Sequence, residues 1–357
     1  MKNFFDFFKK RPKSSASEQD QENTQKKGTQ QAKKGNIHTK INEKRFRPQV
    51  DSENSKAKLN EEETAIYHLL ANSSEAANLD QAFQRCTQLN TYPSSIASLL
   101  ADHWHLCIRY NLETHHWKST DYLDLSDATF HLLPNEITQM QLLRQIDMVR
   151  NYDLDFTDAF LKLSTLPNLK TLTVFENGID QLPDSIGQLK QLTHLTLESS
   201  EINQLSPTLF ELSKLESLSL STNQIEVLPP GIEALQQLRE LNLNTNHLTK
   251  LSDEITQLHR LEQLSLGDNP LQEPLQLLDQ IKHFTHLKYL DLSSLNLKAL
   301  PTTIGNFVHL EELILDYNPI VQFPDELRQL QNLKKLSLNT LQDFNYPEAT
   351  QNTLKQW

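Results

Sequence analysis

From Thr120 onward the large apolar residues recur in one order: leucine, two variable residues, leucine, one variable residue, leucine, then a polar turn and a second apolar leg. The strings LKTLTVFENGIDQLPDSIGQLKQ, LTHLTLESSEINQLSPTLFELSK, LESLSLSTNQIEVLPPGIEALQQ and LRELNLNTNHLTKLSDEITQLHR superimpose position by position. They start at Leu169, Leu192, Leu215 and Leu238, a period of 23 residues. The same register gives starts at Thr120, Leu143, Leu261, Leu287, Leu310 and Leu333, with the coils from Leu143 and Leu261 each three residues longer. Alternating apolar residues at the head of each coil predict a short strand with one face turned inward. Successive coils then pair these strands into a parallel sheet.

The rest of the coil turns the chain around. Position nine is Asn at Asn151, Asn177, Asn223, Asn246, Asn269 and Asn318, a side chain whose donor and acceptor satisfy bent backbone inside a turn. The pairs Leu133-Pro134, Leu182-Pro183, Leu228-Pro229 and Leu300-Pro301 hold the return leg extended before a short helical stretch. A single coil leaves apolar rows uncovered above and below it, so stability must come from stacking and each end needs a cap.

Upstream, Asn60 followed by Glu61, Glu62 and Glu63 predicts an N-cap with a reciprocal carboxylate, opening a helix to about Leu70. A second helix is expected near Ser74, with Leu79, Ala82, Phe83, Cys86 and Leu89 at helical spacing. A third opens at Pro93, with Ile96, Leu100, Trp104, Cys107 and Ile108 on one stripe. These helices are expected to cap the first coil. Leu341, Phe344 and Tyr346 are the candidates to close the last.

The motif LxxLxLxxNxLxxLPxxIxxLxx resembles the Ras-group class of leucine-rich repeat proteins and their bacterial relatives. The resemblance implies an α/β leucine-rich repeat solenoid, a horseshoe with a parallel concave sheet, and relatives that act as scaffolds and adaptors binding proteins on that sheet. The expected organisation is a disordered basic tail over 1–58, a helical cap over 59–119, about ten repeats over 120–345 and a C-terminal tail over 346–357. Departures stand at Ala128, Ser200, Leu295 and Leu341 in position nine, at Ser206 and Ser252 in place of Pro, and at Pro274 within a longer coil. Irregularity is therefore expected around 261–297.

Charge sharpens the division. The chain has a net charge of -12, yet residues 1–58 hold 15 Lys and Arg against 7 Asp and Glu, a net of +8, which leaves -20 for the remainder. An acidic body repels phosphate backbones and attracts basic protein surfaces, so nucleic acid is not an expected partner. The tail is rich in Gln, Lys, Ser and Asn and carries too few apolar side chains to offset its ordering entropy. Cys86 and Cys107 are the only cysteines, which fits a reducing compartment and a cytoplasmic protein, expected to be a monomer. The segment MKNFFDFFKKR has its phenylalanines interrupted by Asp6, unlike a secretory signal. Wound as a helix, it sets four Phe against Lys2, Lys9 and Lys10, the pattern of a membrane-surface anchor. The alternative reading is accordingly a membrane-proximal regulator tethered through residues 1–11.

Candidate chemistry is sparse. His103, His105 and Cys107, with His115 and His116, are the one cluster of metal-ligand types, but on a helix His105 points away from the other two and the packed-cap reading is preferred. No acid, base or nucleophile constellation stands outside the repeat pattern, so an enzyme, a resident metal and a cofactor are not expected. The outer strand positions instead predict a binding face. They carry fourteen acidic residues against seven basic, with apolar anchors in two groups. The expected protein-binding residues are Val149, Arg150, Phe175, Glu176 and Glu198 toward one end, and Tyr289, Asp291, Ile314, Asp316 and Tyr317 toward the other. The partner expected from this face is a protein with a basic, partly apolar surface.

Overall fold

The computed structural model describes residues 59–71, 76–89, 93–101, 103–110, 112, 119–128 and 130–338. The chain divides into two units, Met1–Asp51 and Ser52–Trp357, and every described residue lies in the second. The expected disordered tail and membrane anchor, His115, His116, and the closing residues Leu341, Phe344 and Tyr346 lie outside the described residues.

Helix α1 (Glu61–Ala71) begins as its sequence dictates. The Asn60 amide donates to Glu63 Oε2 and the Glu63 amide donates to Asn60 Oδ1, both at 2.8 Å. This reciprocal cap satisfies two otherwise orphaned donors. Helix α2 (Ala76–Cys86) follows. The third helix differs from the expectation, because the chain breaks between α3 (Ser94–Ala101) and α4 (Trp104–Arg109). His103 leaves helical geometry at φ -121 and becomes the cap of α4, with its amide bonded back to Leu100. The bend lets two short helices share one apolar core: Ile96 and Leu100 from the first, and Trp104, Leu106, Cys107 and Ile108 from the second, are buried, and Cys107 Sγ donates to the Leu100 carbonyl at 3.3 Å.

The repeats form one ten-stranded sheet in chain order. Its strands are β1 (Tyr122–Asp124), β2 (Gln145–Val149), β3 (Thr171–Phe175), β4 (His194–Glu198), β5 (Ser217–Ser219), β6 (Glu240–Asn242), β7 (Gln263–Ser265), β8 (Tyr289–Asp291), β9 (Glu312–Ile314) and β10 (Lys335–Ser337). All pairs are parallel, and the central residues register apolar on apolar, as in Leu195↔Leu218↔Leu241↔Leu264↔Leu290↔Leu313, with Ile146 taking the place of leucine in β2. The motif leucines beneath are buried and fill the space between sheet and return legs.

Position nine is an internal hydrogen-bond ladder. Asn246 Nδ2 donates to the carbonyls of Leu220 and Leu243, at 2.9 and 3.1 Å, while its Oδ1 accepts from the Ile225 amide at 3.1 Å. Asn223, Asn269 and Asn318 repeat the arrangement. Where Ser200 replaces Asn, its hydroxyl donates to the Glu198 carbonyl and accepts weakly from the Asn177 amide. The residue just before, position eight, has positive φ at Asp127, Arg150, Glu176, Ser199, Thr222, Thr245, Asp268, Ser294 and Tyr317. Each of these nine coils therefore swings its chain out of the sheet at the same point.

Return legs are 3-10 turns in the 23-residue coils. Pro134, Pro183, Pro301 and Pro324 precede the turn in extended conformation, and where Pro is missing Ser206 and Ser252 cap it by accepting from the Thr208 and Glu254 amides. The three extra residues of the two long coils have a definite outcome: each return leg becomes an α-helix, α5 (Phe156–Leu163) and α6 (Pro274–Ile281). Among the described residues no helix is long and apolar enough to cross a membrane.

Candidate protein-binding face

On the outer face of the sheet, positions three, five and seven of neighbouring coils stand side by side. The parallel register makes Val149 and Phe175 direct partners, and Phe175 in turn faces Glu198. Val149 and Phe175 are half-buried. Arg150 is tied down rather than free: its Nε and Nη2 donate to the two oxygens of Asp127, each at 2.7 Å, and Nη1 lies 3.5 Å from Glu176 Oε2. The Asp127 hydrogen bond holds the guanidinium pKa above its ordinary value. One cation thus bridges three coils and offsets one of the two carboxylates beside it.

At the other group, Tyr289 faces Glu312 and Asp291 faces Ile314, while Asp316 and Tyr317 continue the line beyond β9. Tyr317 is 40% exposed. Tyr289 is half-buried, and burial, with the carboxylates of Asp291, Glu312 and Asp316 around it, raises its phenol pKa and keeps it neutral. Asp316 Oδ1 accepts from Ser337 Oγ at 2.7 Å. Five strand steps separate β3 from β8, about 24 Å at the usual inter-strand spacing. The two groups are therefore distinct contact areas.

Several side chains of the outer face, three of the expected binding residues among them, are buried. Thr196, Glu198, Ser217, Ser219, Ser265 and Asp291 are all buried, as is Ile314 on β9. Glu198, Ser217, Ser219 and Asp291 are held there by hydrogen bonds across strands. Ser219 Oγ donates to Glu198 Oε1, Ser217 Oγ donates to Glu240 Oε2 at 3.0 Å, and Asn244 Nδ2 donates to Asp291 Oδ2 at 2.8 Å. Glu198 and Asp291, read from the sequence as exposed charges, are components of this polar layer, and Ile314 sits within the sheet surface rather than above it. Along position two the charges alternate and pair: Glu262 takes both Arg239 and Lys288, and Glu311 takes Lys334 at 2.7 Å. The Lys288 hydrogen bond, with that of Arg239, lowers the Glu262 pKa.

Tyr152 was not among the residues expected from the sequence. At position ten it is 65% exposed, and its ring lies over Gly178, where a Cβ would come 3.8 Å from Cδ1. The available signal was an aromatic residue where the other coils carry Thr, Gly, Glu, Gln, His, Pro or Asn.

The described residues include no group of three His, Cys, Asp or Glu side chains placed to hold a metal ion. His103 and His105 are instead engaged in ring packing, His105 against Trp104 and Phe130, and Cys107 in its bond to Leu100.

A family model and one solved structure agree with this architecture. The model of the leucine-rich repeat region matches residues 157–275. A leucine-rich repeat protein of Leptospira interrogans superimposes with a TM-score of 0.58 at 31% identity, covering 67% of this chain, and this chain spans only 58% of that protein's length. Internalin C2 of Listeria monocytogenes gives a TM-score of 0.43 at 21% identity, over 61% of this chain and 80% of its own. The structure of the Drosophila Toll–Spätzle complex gives 0.47 at 24% identity, over 58% of this chain and 31% of that one. No curated protein sequence matches. The chain is a leucine-rich repeat protein.

Proposed function

We infer that the repeat sheet is a non-enzymatic protein-interaction face, on which a scaffold or adaptor of intracellular signalling receives a partner with a basic, partly apolar surface. The observation that carries this is a pair of apolar groups on one face, Val149 beside Phe175 on β2 and β3 and, toward the other end, half-buried Tyr289 and exposed Tyr317, in a face whose basic residues are mostly consumed by ion pairs. Apolar anchors within a charged rim are where interface energy concentrates. The 23-residue LPxxI coil supports a Ras-group repeat class. Cys86 and Cys107, both buried and not joined in a disulfide, support a reducing, cytoplasmic setting.

The test is an affinity pull-down with mass spectrometry, followed by affinity measurement with Phe175→Ala and Tyr317→Ala. Each variant should lose more than about 1 kcal/mol of binding without a comparable loss of stability. Unchanged affinity in both would remove the sheet face from the function.

A further inference from the structure

We propose that the second long coil forms a docking groove for an extended, acidic segment of a partner protein, which seats a phenylalanine between the start of α6 and the loop after β8. The groove is built from turn and return-leg residues rather than strand residues, so it is independent of the sheet-face reading.

The groove arises because two equivalent coils are finished differently. Leu154, Asp155 and Phe156 of the first long coil occupy the positions of Gln272, Glu273 and Pro274 in the second. Leu154 and Phe156 are buried, and Asp155 caps α5 by accepting from the Thr157 and Asp158 amides. In the second coil Gln272 is exposed, Pro274 is half-buried and the Glu273 side chain makes no cap. A large apolar pair is thus replaced by side chains that do not fill the junction.

What this leaves is a groove of about 500 Å³ between residues 271–276 and 295–298. Leu295 and Leu297 are buried beneath it, while Leu275 at its wall is 45% exposed. Val321 on the next coil, whose amide donates to the Lys298 carbonyl, is 43% exposed. The backbones are also apart here. At other junctions of this flank an amide bonds to the preceding coil, as Gln272 does to the Thr249 carbonyl, but among the described residues no backbone hydrogen bond joins 270–275 to 295–299. An extended segment suits such a gap, because it presents alternate side chains to one wall. Phenylalanine is the side chain that the first coil itself places at the position of Pro274.

Charge selects the residues beside that anchor. Lys298 lines the groove, and Lys250 is the neighbour of Thr249 on the coil before; both are exposed, against the single carboxylate of Glu273. On a body that is acidic elsewhere, this stretch attracts carboxylates flanking the phenylalanine and disfavours a basic segment.

The test uses the full chain and a fluorescent Gly/Ser octapeptide with Asp-Phe-Asp at its centre, read by anisotropy at low salt. One control peptide has alanine in place of phenylalanine, and another has lysine in place of both aspartates. The Asp-Phe-Asp peptide should bind about fivefold tighter than either. Leu275→Glu should weaken it about fivefold, and Lys298→Glu should shift the preference toward the lysine peptide. Gln272→Leu combined with Pro274→Phe, which places the first coil's residues in the second, should abolish binding with thermal stability unchanged or raised. Phe175→Ala, on the sheet face, should leave the peptide unaffected. No binding at millimolar peptide, equal binding of the three peptides, or indifference to both Leu275→Glu and Lys298→Glu would overturn the proposal. Loss of the peptide in Phe175→Ala would overturn it as well, by moving the contact to the sheet.

Discussion

Asn244 Nδ2 donates to Asp291 Oδ2 at 2.8 Å across the whole width of the intervening coil, and Gly267 is the residue that lets it. Asn244 Oδ1 accepts the Gly267 amide at 2.7 Å, so the side chain lies flat over this position before reaching Asp291. A Cβ here would collide with Ser293 Oγ and come within 3.1 Å of Asp291 Oδ1. A bond skipping one strand thus depends on a missing side chain.

Gly267→Ala is expected to cost about 1–3 kcal/mol in chemical denaturation, through displacement of Ser293 and Asp291. An unchanged midpoint would show that the polar layer yields without strain.

The ladder predicts a larger effect beneath the surface. Asn246→Ala removes the partners of two buried carbonyls and a buried amide, and should cost about 2–4 kcal/mol. Exposed Asn203 lies outside the ladder, and Asn203→Ala should be within about 0.5 kcal/mol of the parent. Equal losses at the two sites would contradict the ladder's role.

Arg150 is expected to act against a basic partner rather than for it. Because it offsets Asp127 and Glu176, Arg150→Gln should raise the association rate about two- to fivefold at low salt, with the gain fading as salt rises. Stopped-flow rates at two salt concentrations decide this, and a slower variant would return Arg150 to the role of direct contact.

The cap carries a pH dependence. Burial, reinforced by the neighbouring His103 and Arg109 and opposed by Glu136, lowers the His105 pKa to about 4 from 6.5. The unfolded chain takes up the proton near 6.5 while the folded chain resists it until about 4. This contribution to stability is therefore complete above 6.5 and is lost progressively as pH falls from 6.5 to 4, about 2–3 kcal/mol in all. Thermal melts of the parent and of His105→Phe should converge or cross as pH drops through this window. A constant gap between them from pH 7 to 4 would refute the assignment.

How much of this was legible in the chain follows from the range of the interactions involved. The Asn60–Glu63 cap spans three residues and the LxxLxL strand needs only its own alternation, so local chemistry determined both. The ladder was legible as well, because Asn recurs at one position of a fixed period and repetition converts a distant contact into a local rule. The two long coils announced themselves by length, but whether three added residues loop out or wind into α5 and α6 was decided by packing of Phe160 and Leu278 against the neighbouring legs. The break at His103 was likewise invisible in a continuous apolar stripe, since it serves a core shared by two helices.

The binding face divides along the same line. That Phe175 lies on the outer surface followed from strand alternation, and the excess of acid there followed from counting. Only the tertiary structure decided that Glu198 and Asp291 are absorbed into a polar layer, that Arg150 is held by Asp127, and that Ser265 is left without a partner. Those outcomes join residues 21 to 47 positions apart through specific side chains that differ from coil to coil. A period determines where a side chain stands, whereas its availability depends on which individual neighbours the stacking brings to it.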